Sequence, residues 1–220
     1  MKWGYKMFNG MFVQTQQGFS ASYEMFRENQ ICATAEIPKD VLDAELFFND
    51  HKGQPYVLRH TTYADLKKRG IDVYNNGCSP YEICLPGNHV CGLIYGKKTL
   101  GLFKGYQYTQ MEFMGRKYAI YTVDIWKEGT KYAIYRNEGQ ERQVALVEKP
   151  EVVYNRLDEY SWMTLAEEDI AVVGLFLLYI DYMSNAPHRL EVVTESKEVN
   201  GGKTLNKALL AKYDENFKNM

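Results

Sequence analysis

Four potential metal ligands fall close together in the stretch CSPYEICLPGNHVC, at Cys78, Cys84, His89 and Cys91. Structural zinc sites usually present ligands in pairs about two to four residues apart, and only His89 and Cys91 are spaced in that way. The intervening YEICL is typical of a β-strand. We therefore favour reduced cysteines packed within strands, with a zinc site as the alternative, and we expect neither a metal nor a cofactor.

A second candidate is NGGKT at 200–204, which resembles the end of a phosphate-binding loop. Such a loop also needs a glycine at position 197, because its backbone must wrap the phosphates, and Lys197 stands there instead. The simpler interpretation is a glycine turn in which Thr204 caps a following helix.

Catalysis has little support in the residue pattern. The four histidines, His51, His60, His89 and His188, are scattered and no nucleophile motif accompanies them. Asp181 is the most interesting carboxylate; we expect it at a barrel mouth in contact with water, and if enclosed it must be paired or protonated. An enzyme with a rim pocket, in which His60 or His89 meets a carboxylate, stays open as an alternative.

Two short basic segments are candidate binding residues. Lys67, Lys68 and Arg69 end a short helix, and Lys97 and Lys98 lie in a turn, where they would meet the phosphates of anionic phospholipids. Charge on turns more often serves solubility, so solvated charge is the competing interpretation. The net charge of −2 offers no field that would gather nucleic acid, and we expect no nucleic-acid partner.

These residues must be positioned by strands. The 220 residues include 18 Tyr and 10 Phe, and short alternating runs are separated by turn residues, as in antiparallel hairpins. The pentapeptide KYAIY occurs at 117–121 and again at 131–135, which indicates two neighbouring strands of a meander and not a repeat protein. In the first copy the apolar face carrying Ala119, Tyr121 and Val123 is expected to face the core. One short helix is predicted within 61–70, beginning near Thr62.

The residue pattern changes from alternating strand-like runs to a long apolar run within MTLAEEDIAVVGLFLLYIDYMSNAP, residues 163–187. Thr164 and Glu167 form a capping-box pattern, so we predict a helix over about 165–183. From Ile170 to Ile180 it is apolar all round and must be enclosed. This run is shorter than the roughly 20 residues of a membrane span, so no transmembrane segment is predicted. The N-terminus lacks a secretory pattern, and the expected location is cytoplasmic.

Aromatic-rich antiparallel strands followed by one apolar helix, DIAVVGLFLLYIDY, resemble the tubby C-terminal-like superfold of tubby proteins, phospholipid scramblases and LURP-one-related proteins, in its bacterial form. The resemblance covers roughly residues 20–183. It implies a barrel closed around the helix. It also implies binding at a membrane, although the basic residues of the tubby lipid site have no matching pair in this chain.

The predicted fold is therefore mainly β: an antiparallel barrel-like meander encloses a central hydrophobic helix at about 165–183, and a short C-terminal strand and helix form an appendage. The expected units are a barrel domain at 1–187 and an appendage at 188–220. The expected function is a non-catalytic binding or regulatory module for a membrane phospholipid or a protein partner, peripheral at the membrane in the first case. A scaffold or oligomer subunit that uses a surface helix at 203–217 is a further alternative.

Overall fold

Antiparallel strands make up most of the structure, a computed structural model that describes residues 7–16, 20–38, 43–75, 77–99, 105–150, 152–154, 157–185, 197–199 and 202–220. The strands are β1 (Phe8–Gln16), β2 (Ala21–Arg27), β3 (Gln30–Ile37), β4 (Leu46–Asn49), β5 (Pro55–His60), β6 (Tyr81–Leu85), β7 (His89–Lys98), β8 (Gln107–Phe113), β9 (Arg116–Ile125), β10 (Gly129–Asn137), β11 (Glu141–Lys149), β12 (Val152–Tyr154), β13 (Glu159–Thr164) and β14 (Lys197–Val199). The helices are α1 (Tyr63–Lys68), α2 (Ile170–Asn185) and α3 (Lys207–Leu210).

Twelve of these strands close into an antiparallel barrel in the order β1-β13-β11-β10-β9-β8-β7-β6-β5-β4-β3-β2. The closing strand is β1, which lies between β2 and β13. In β1, Phe8 pairs with Thr164 of β13 on one side, while Gly10 pairs with Arg27 of β2 on the other. Closure removes the sheet edges, so each of the twelve barrel strands has two hydrogen-bonded neighbours. The predicted mainly β barrel is confirmed.

Successive hairpin turns alternate between the two ends of the barrel. The end of the barrel where α2 begins is called the entry end. The turns that lie there are 28–29, 50–54, 86–88, 114–115 and 138–140. The opposite end, where α2 terminates, is called the exit end. The tight turn between β2 and β3 shows why hairpins form at these points, because Glu28 and Asn29 both adopt positive φ (52° and 62°), the conformation of a type I′ turn.

The central helix α2 lies inside the barrel, as its all-round apolar sequence predicts. Val173, Leu175 and Leu178 are fully buried and belong to the same hydrophobic core as the inward faces of the strands. The predicted helix is confirmed, but the capping role predicted for Thr164 is wrong. Thr164 is the last residue of β13, and its hydroxyl donates to the Val144 carbonyl at 2.9 Å, so a 3₁₀ turn at Glu167–Asp169 precedes the α-helix.

The two KYAIY copies lie on adjacent strands β9 and β10, with Ile120 opposite Ile134. Tyr118 and Ile120 join the core around α2, so the predicted inward face, which carries Tyr121, actually points outward. This outer face is apolar because it is buried as well: the C-terminal segment at 202–220 lies over it. Thr204 anchors that segment, exchanging hydrogen bonds with the Asp124 backbone at 2.8 and 2.9 Å.

The C-terminal segment is less helical than its sequence predicts. Within the predicted helix 203–217, only Lys207–Leu210 is α-helical, and a 3₁₀ turn follows at Glu215–Asn219. Asn206 and not Thr204 caps α3, accepting from the amides of Ala208 and Leu209. Phe217 is fully buried. Upstream, β14 pairs with β12 in a separate two-stranded sheet, while the strand predicted at 188–195 lies outside the described residues. The boundary at 187/188 between barrel domain and appendage stays a prediction.

Candidate functional site

A pocket of about 510 Å³ opens at the entry end of the barrel, next to the first turn of α2. We call it the mouth pocket. The β4–β5 turn and the β8–β9 turn form its two walls, and the start of α2 forms its floor. Its lining residues are Asp50, His51, Lys52, Gly53, Gln54, Tyr56, Phe113, Met114, Arg116, Tyr118, Glu168 and Ala171.

Opposite charges are paired along the β9 side of this pocket. Arg116 lies 3.5 Å from Glu168 and 3.6 Å from Glu138, and its side chain is 42% exposed. Beneath it, the Tyr118 hydroxyl donates to the buried Asp169 carboxylate at 3.0 Å. Burial raises the pKa of Tyr118 to about 12, and the neighbouring Asp169 adds to the effect. Arg116 is therefore a solvent-accessible cation held at the pocket mouth by two carboxylates.

The β4–β5 side presents His51 and Lys52. Asp50 organises this turn, because its carboxylate accepts from the amides of Lys52 and Gln54, both at 2.8 Å. Burial lowers the pKa of His51, which favours the neutral imidazole at neutral pH. Both ring nitrogens of His51 are inaccessible to solvent and make no hydrogen bond with the described residues. This wall thus offers a cation, Lys52, beside an uncharged ring.

Apolar side chains project from the rim around the mouth pocket. Met114, at the tip of the β8–β9 turn, is 49% exposed, and Val90, near the start of β7, is 50% exposed. The two positions are adjacent, since the Met114 amide donates to the Cys91 carbonyl at 2.9 Å. Ile31, at the start of β3, is also exposed at this end. The entry end therefore combines a charged pocket with exposed apolar turn residues.

A buried acid cluster lies near the exit end, and it corrects the expectation for Asp181. Asp181 is fully buried, and its carboxylate accepts from the hydroxyls of Tyr23 at 2.5 Å and Tyr160 at 2.9 Å. Asp158 lies beside it, and its carboxyl group is 2.7 Å from the Lys149 amino group. Burial raises the pKa of Asp158 well above its usual range, and the Asp181 carboxylate adds to that rise. Asp181 can be enclosed because Tyr23 and Tyr160, on the surrounding strands, place their hydroxyl groups inside the barrel next to its carboxylate.

The five predicted cationic residues lie on the outer wall and do not line the mouth pocket, although Arg69 lines a neighbouring surface pocket with Val90 and Arg116. Helix α1 forms as predicted, and the Thr62 hydroxyl accepts from the Asp65 amide at 3.1 Å. Leu66 of α1 packs on Leu93 and Tyr95 of β7, which brings Lys67, Lys68 and Arg69 onto the outside of the barrel. Most of these cations have local partners, namely Lys68 with Asp65, Arg69 with Glu82, Lys97 with Asp72, and Lys98 with the ring of Tyr74. Their role in binding stays a prediction.

The Cys–His group is distributed over several elements. Cys84 is buried in β6, the Cys91 thiol on β7 contacts the Ile83 carbonyl at 3.4 Å, and His89 is exposed at the start of β7. Burial raises the pKa of the Cys78, Cys84 and Cys91 thiols, so the protonated thiol is favoured at neutral pH. Within the part of the chain that the structure describes, no group of three or more His, Cys, Asp or Glu residues is arranged to hold a metal ion.

The remaining candidates lie apart. His60 lies near the exit end, away from the mouth pocket, with its Nε2 3.2 Å from the Asp43 carboxylate. His188, Asn200 and Gly201 lie outside the described residues. Thr204 bonds to the β9 backbone instead of opening a phosphate loop. Among the helices of the described residues, none is long and apolar enough to cross a membrane.

Sequence reasoning missed Arg116 and Tyr118 and named His51 only as one of four scattered histidines. A signal for the pocket was nevertheless present. The breaks at 49–53 and Met114–Gly115 both predict hairpin turns, and turns of a meander alternate between the two ends. Counting strands places both turns at the end where the helix starts.

Comparison with known proteins adds no assignment: no family model, no curated protein and no solved structure matches this chain. The closed barrel with a helix inside it is consistent with the tubby-like layout, while membership of that family stays a prediction.

Proposed function

We propose that the protein is a non-catalytic binding module of the tubby-like type, and that the mouth pocket receives the headgroup of a membrane phospholipid. The observation that carries this proposal is the placement of a 510 Å³ polar pocket directly beside exposed apolar turn residues at one end of the barrel. A peripheral membrane site needs both features, because headgroups are polar whereas the adjacent acyl boundary is apolar.

The charges of the pocket favour a phosphate-bearing group. Lys52 and Arg116 are cations at its opening, and the Asp50 carboxylate already accepts two backbone amides. Glu168 is engaged by Arg116 and also lies 3.6 Å from Arg136. A phosphate at the opening would therefore meet two cations, while the nearby acids are neutralised within the protein.

The exposed rim residues supply the apolar part of the contact. Fully burying a methionine side chain gains roughly 1.5–3 kcal/mol, and because Met114 is 49% exposed, its insertion into the acyl boundary gains about half of that. Since 1.4 kcal/mol corresponds to a factor of ten, replacing Met114 by a charged residue should weaken membrane binding by about tenfold.

Flotation with liposomes tests the proposal. Wild type is expected to float with vesicles that contain phosphatidylserine, and Met114→Asp and Arg116→Gln are each expected to reduce binding. The matched control is Trp126→Asp: Trp126 is 66% exposed on the β9–β10 turn, at the exit end. That variant should float like wild type, because its side chain points away from the proposed membrane face.

Three outcomes would contradict this assignment. If wild type does not float with any vesicle, the ligand is not a phospholipid, and a protein partner becomes the remaining candidate. An equal loss of flotation in Met114→Asp and Trp126→Asp would show that the entry end is not the face that contacts the membrane. If Lys67→Ala/Lys68→Ala or Lys97→Ala/Lys98→Ala abolishes flotation while Arg116→Gln does not, the outer-wall cations bind the membrane and the mouth pocket does not.

A further inference from the structure

A lysine side chain is held between tyrosine rings on the outer wall of the barrel. The Lys212 ammonium lies 4.7 Å from the centre of the Tyr121 ring and 5.2 Å from that of Tyr135. It also donates to Glu141, whose other carboxylate oxygen accepts from the Tyr121 hydroxyl. We call the three residues Tyr121, Tyr135 and Glu141 the lysine cage. Aromatic faces with a carboxylate are the combination that recognises an ammonium group.

The duplicated pentapeptide builds this cage. Tyr121 and Tyr135 are the last residues of the two KYAIY copies, and each points outward while the preceding isoleucine points to the core. In the antiparallel register Tyr121 pairs with Ala133 and Tyr135 with Ala119, so the rings are diagonal neighbours with 5.5 Å between centroids. The small alanines opposite them leave space for both rings.

Two more tyrosines support the ring that makes the closer cation contact. Tyr106 and Tyr108 lie 5.8 and 5.4 Å from Tyr121, centroid to centroid. Burial, and then Glu141, raises the pKa of Tyr121 far above its ordinary value, which keeps the hydroxyl protonated as a donor to the carboxylate. The cage is thus rigid and negatively charged without its lysine.

The lysine that fills the cage belongs to the C-terminal segment, which holds it by contacts that do not themselves require a lysine. The Tyr135 hydroxyl donates to the Lys212 carbonyl at 2.9 Å, a bond that any residue at 212 would accept. The Lys212 side chain is 23% exposed, so solvent reaches the cage while it is occupied. Neighbouring Leu205 and Leu210 remain exposed.

We propose that the lysine cage is a recognition site for a lysine side chain of a protein partner, and that Lys212 of the chain's own C-terminal segment occupies it and competes with that partner. Lys212 shows directly the chemistry of the ligand: an ammonium with N–H donors on an extended apolar stem. Because Glu141 accepts one of those N–H groups, an unmodified lysine fits better than a quaternary ammonium, which has none.

The first test uses the full-length Lys212→Ala variant and a synthetic peptide of residues 208–217, ALLAKYDENF, whose single lysine is Lys212. The labelled peptide is expected to bind the variant at least about tenfold more tightly than wild type, because a vacated cage carries no competitor. The same peptide with Lys212→Ala should bind neither protein. Adding Glu141→Gln to the variant should abolish binding, whereas Glu138→Gln, a carboxylate of the same turn that lies outside the cage, should not.

A second measurement covers the case in which the rest of the segment blocks the peptide. n-Butylammonium matches the lysine side chain and should raise the melting temperature of Lys212→Ala in a saturable manner. It should leave wild type unchanged, and tetramethylammonium should be a weaker ligand. Absence of both peptide binding and n-butylammonium stabilisation overturns the proposal, as does equal binding of the lysine and alanine peptides.

Discussion

Gly174, in the middle of α2, lies in close contact with the barrel wall. A Cβ at this position would lie 2.3 Å from Cζ and 2.5 Å from Cε2 of Phe48 on β4, and 3.3 Å from Sδ of Met25. Carbon atoms make contact at about 3.5–4.0 Å, so the Phe48 ring would have to move by more than about 1 Å. Phe48 is itself buried in a close-packed core, where such a movement displaces further side chains.

Gly174→Ala is therefore expected to destabilise the protein although it improves helix propensity. The gain from replacing a helical glycine by alanine is about 1 kcal/mol. Overpacking a core typically costs about 1–3 kcal/mol, and the upper part of that range applies because the clash is with a ring that has no solvent to move into. The net expectation is a loss of about 1–2 kcal/mol in the free energy of unfolding, measured by urea denaturation at an unchanged m-value.

A double-mutant cycle identifies the cause. Phe48→Leu alone should cost about 1–2 kcal/mol, because removing part of the ring leaves a cavity. In Gly174→Ala/Phe48→Leu the new methyl group occupies that space, so the double variant should be more stable than the sum of the singles by about 1–2 kcal/mol. The matched control pairs Gly174→Ala with Phe12→Leu, another fully buried phenylalanine of the core, and should be additive. Additivity in both cycles, or a stabilising Gly174→Ala, would refute the reasoning.

Two further predictions follow from buried contacts. Because the folded protein raises the pKa of Asp158 above its unfolded value near 3.9, the folded state retains a proton that the unfolded state loses as pH rises above about 4. The free energy of unfolding should therefore fall as the pH rises from about 4 towards the pKa of Asp158 in the folded protein. Melting curves at several pH values should show a weaker pH dependence of stability for Asp158→Asn than for the exposed control Glu159→Gln. An equal pH dependence in the two variants would contradict the assignment. Gly92→Ala places a Cβ 2.4 Å from the Glu112 carbonyl oxygen of the neighbouring strand. We therefore expect the free energy of unfolding, measured by urea denaturation, to fall by more than about 2 kcal/mol. A variant as stable as wild type would show that β7 and β8 can separate enough to accept the methyl group.

The fold class was predictable because each element carries its own local pattern. Alternating aromatic strands with short turns predicted a meander, and a helix apolar on every side predicted enclosure. The boundary of that helix was not predictable from a capping pattern alone. Thr164 and Glu167 have the right spacing, yet the barrel uses Thr164 to complete the β11–β13 ladder, where tertiary hydrogen bonds outweigh local capping.

The mouth pocket and the lysine cage were less accessible to sequence reasoning, since each depends on which strands become neighbours. Tyr121 seemed to face the core because its face is apolar, and only the position of the C-terminal segment distinguishes a covered outer face from an inner one. His51 and Arg116 are distant in sequence and come together only when the barrel closes. Local composition identifies a buried face, but it does not say what buries it.

Asp181 shows how the barrel meets the requirements of the acids on its central helix. Asp169, in the 3₁₀ turn that precedes α2, and Asp181, near the end of α2, are both buried. Asp169 accepts a hydrogen bond from the hydroxyl of Tyr118 on the wall, and Asp181 accepts from the hydroxyls of Tyr23 and Tyr160. A tyrosine packs as an aromatic ring and still delivers a donor several ångströms inside the lumen, which a serine on the same strand would not reach. The 18 tyrosines of this chain therefore reflect more than strand propensity. Those that face the lumen allow carboxylates to be enclosed, and this is why an acid expected in water is buried.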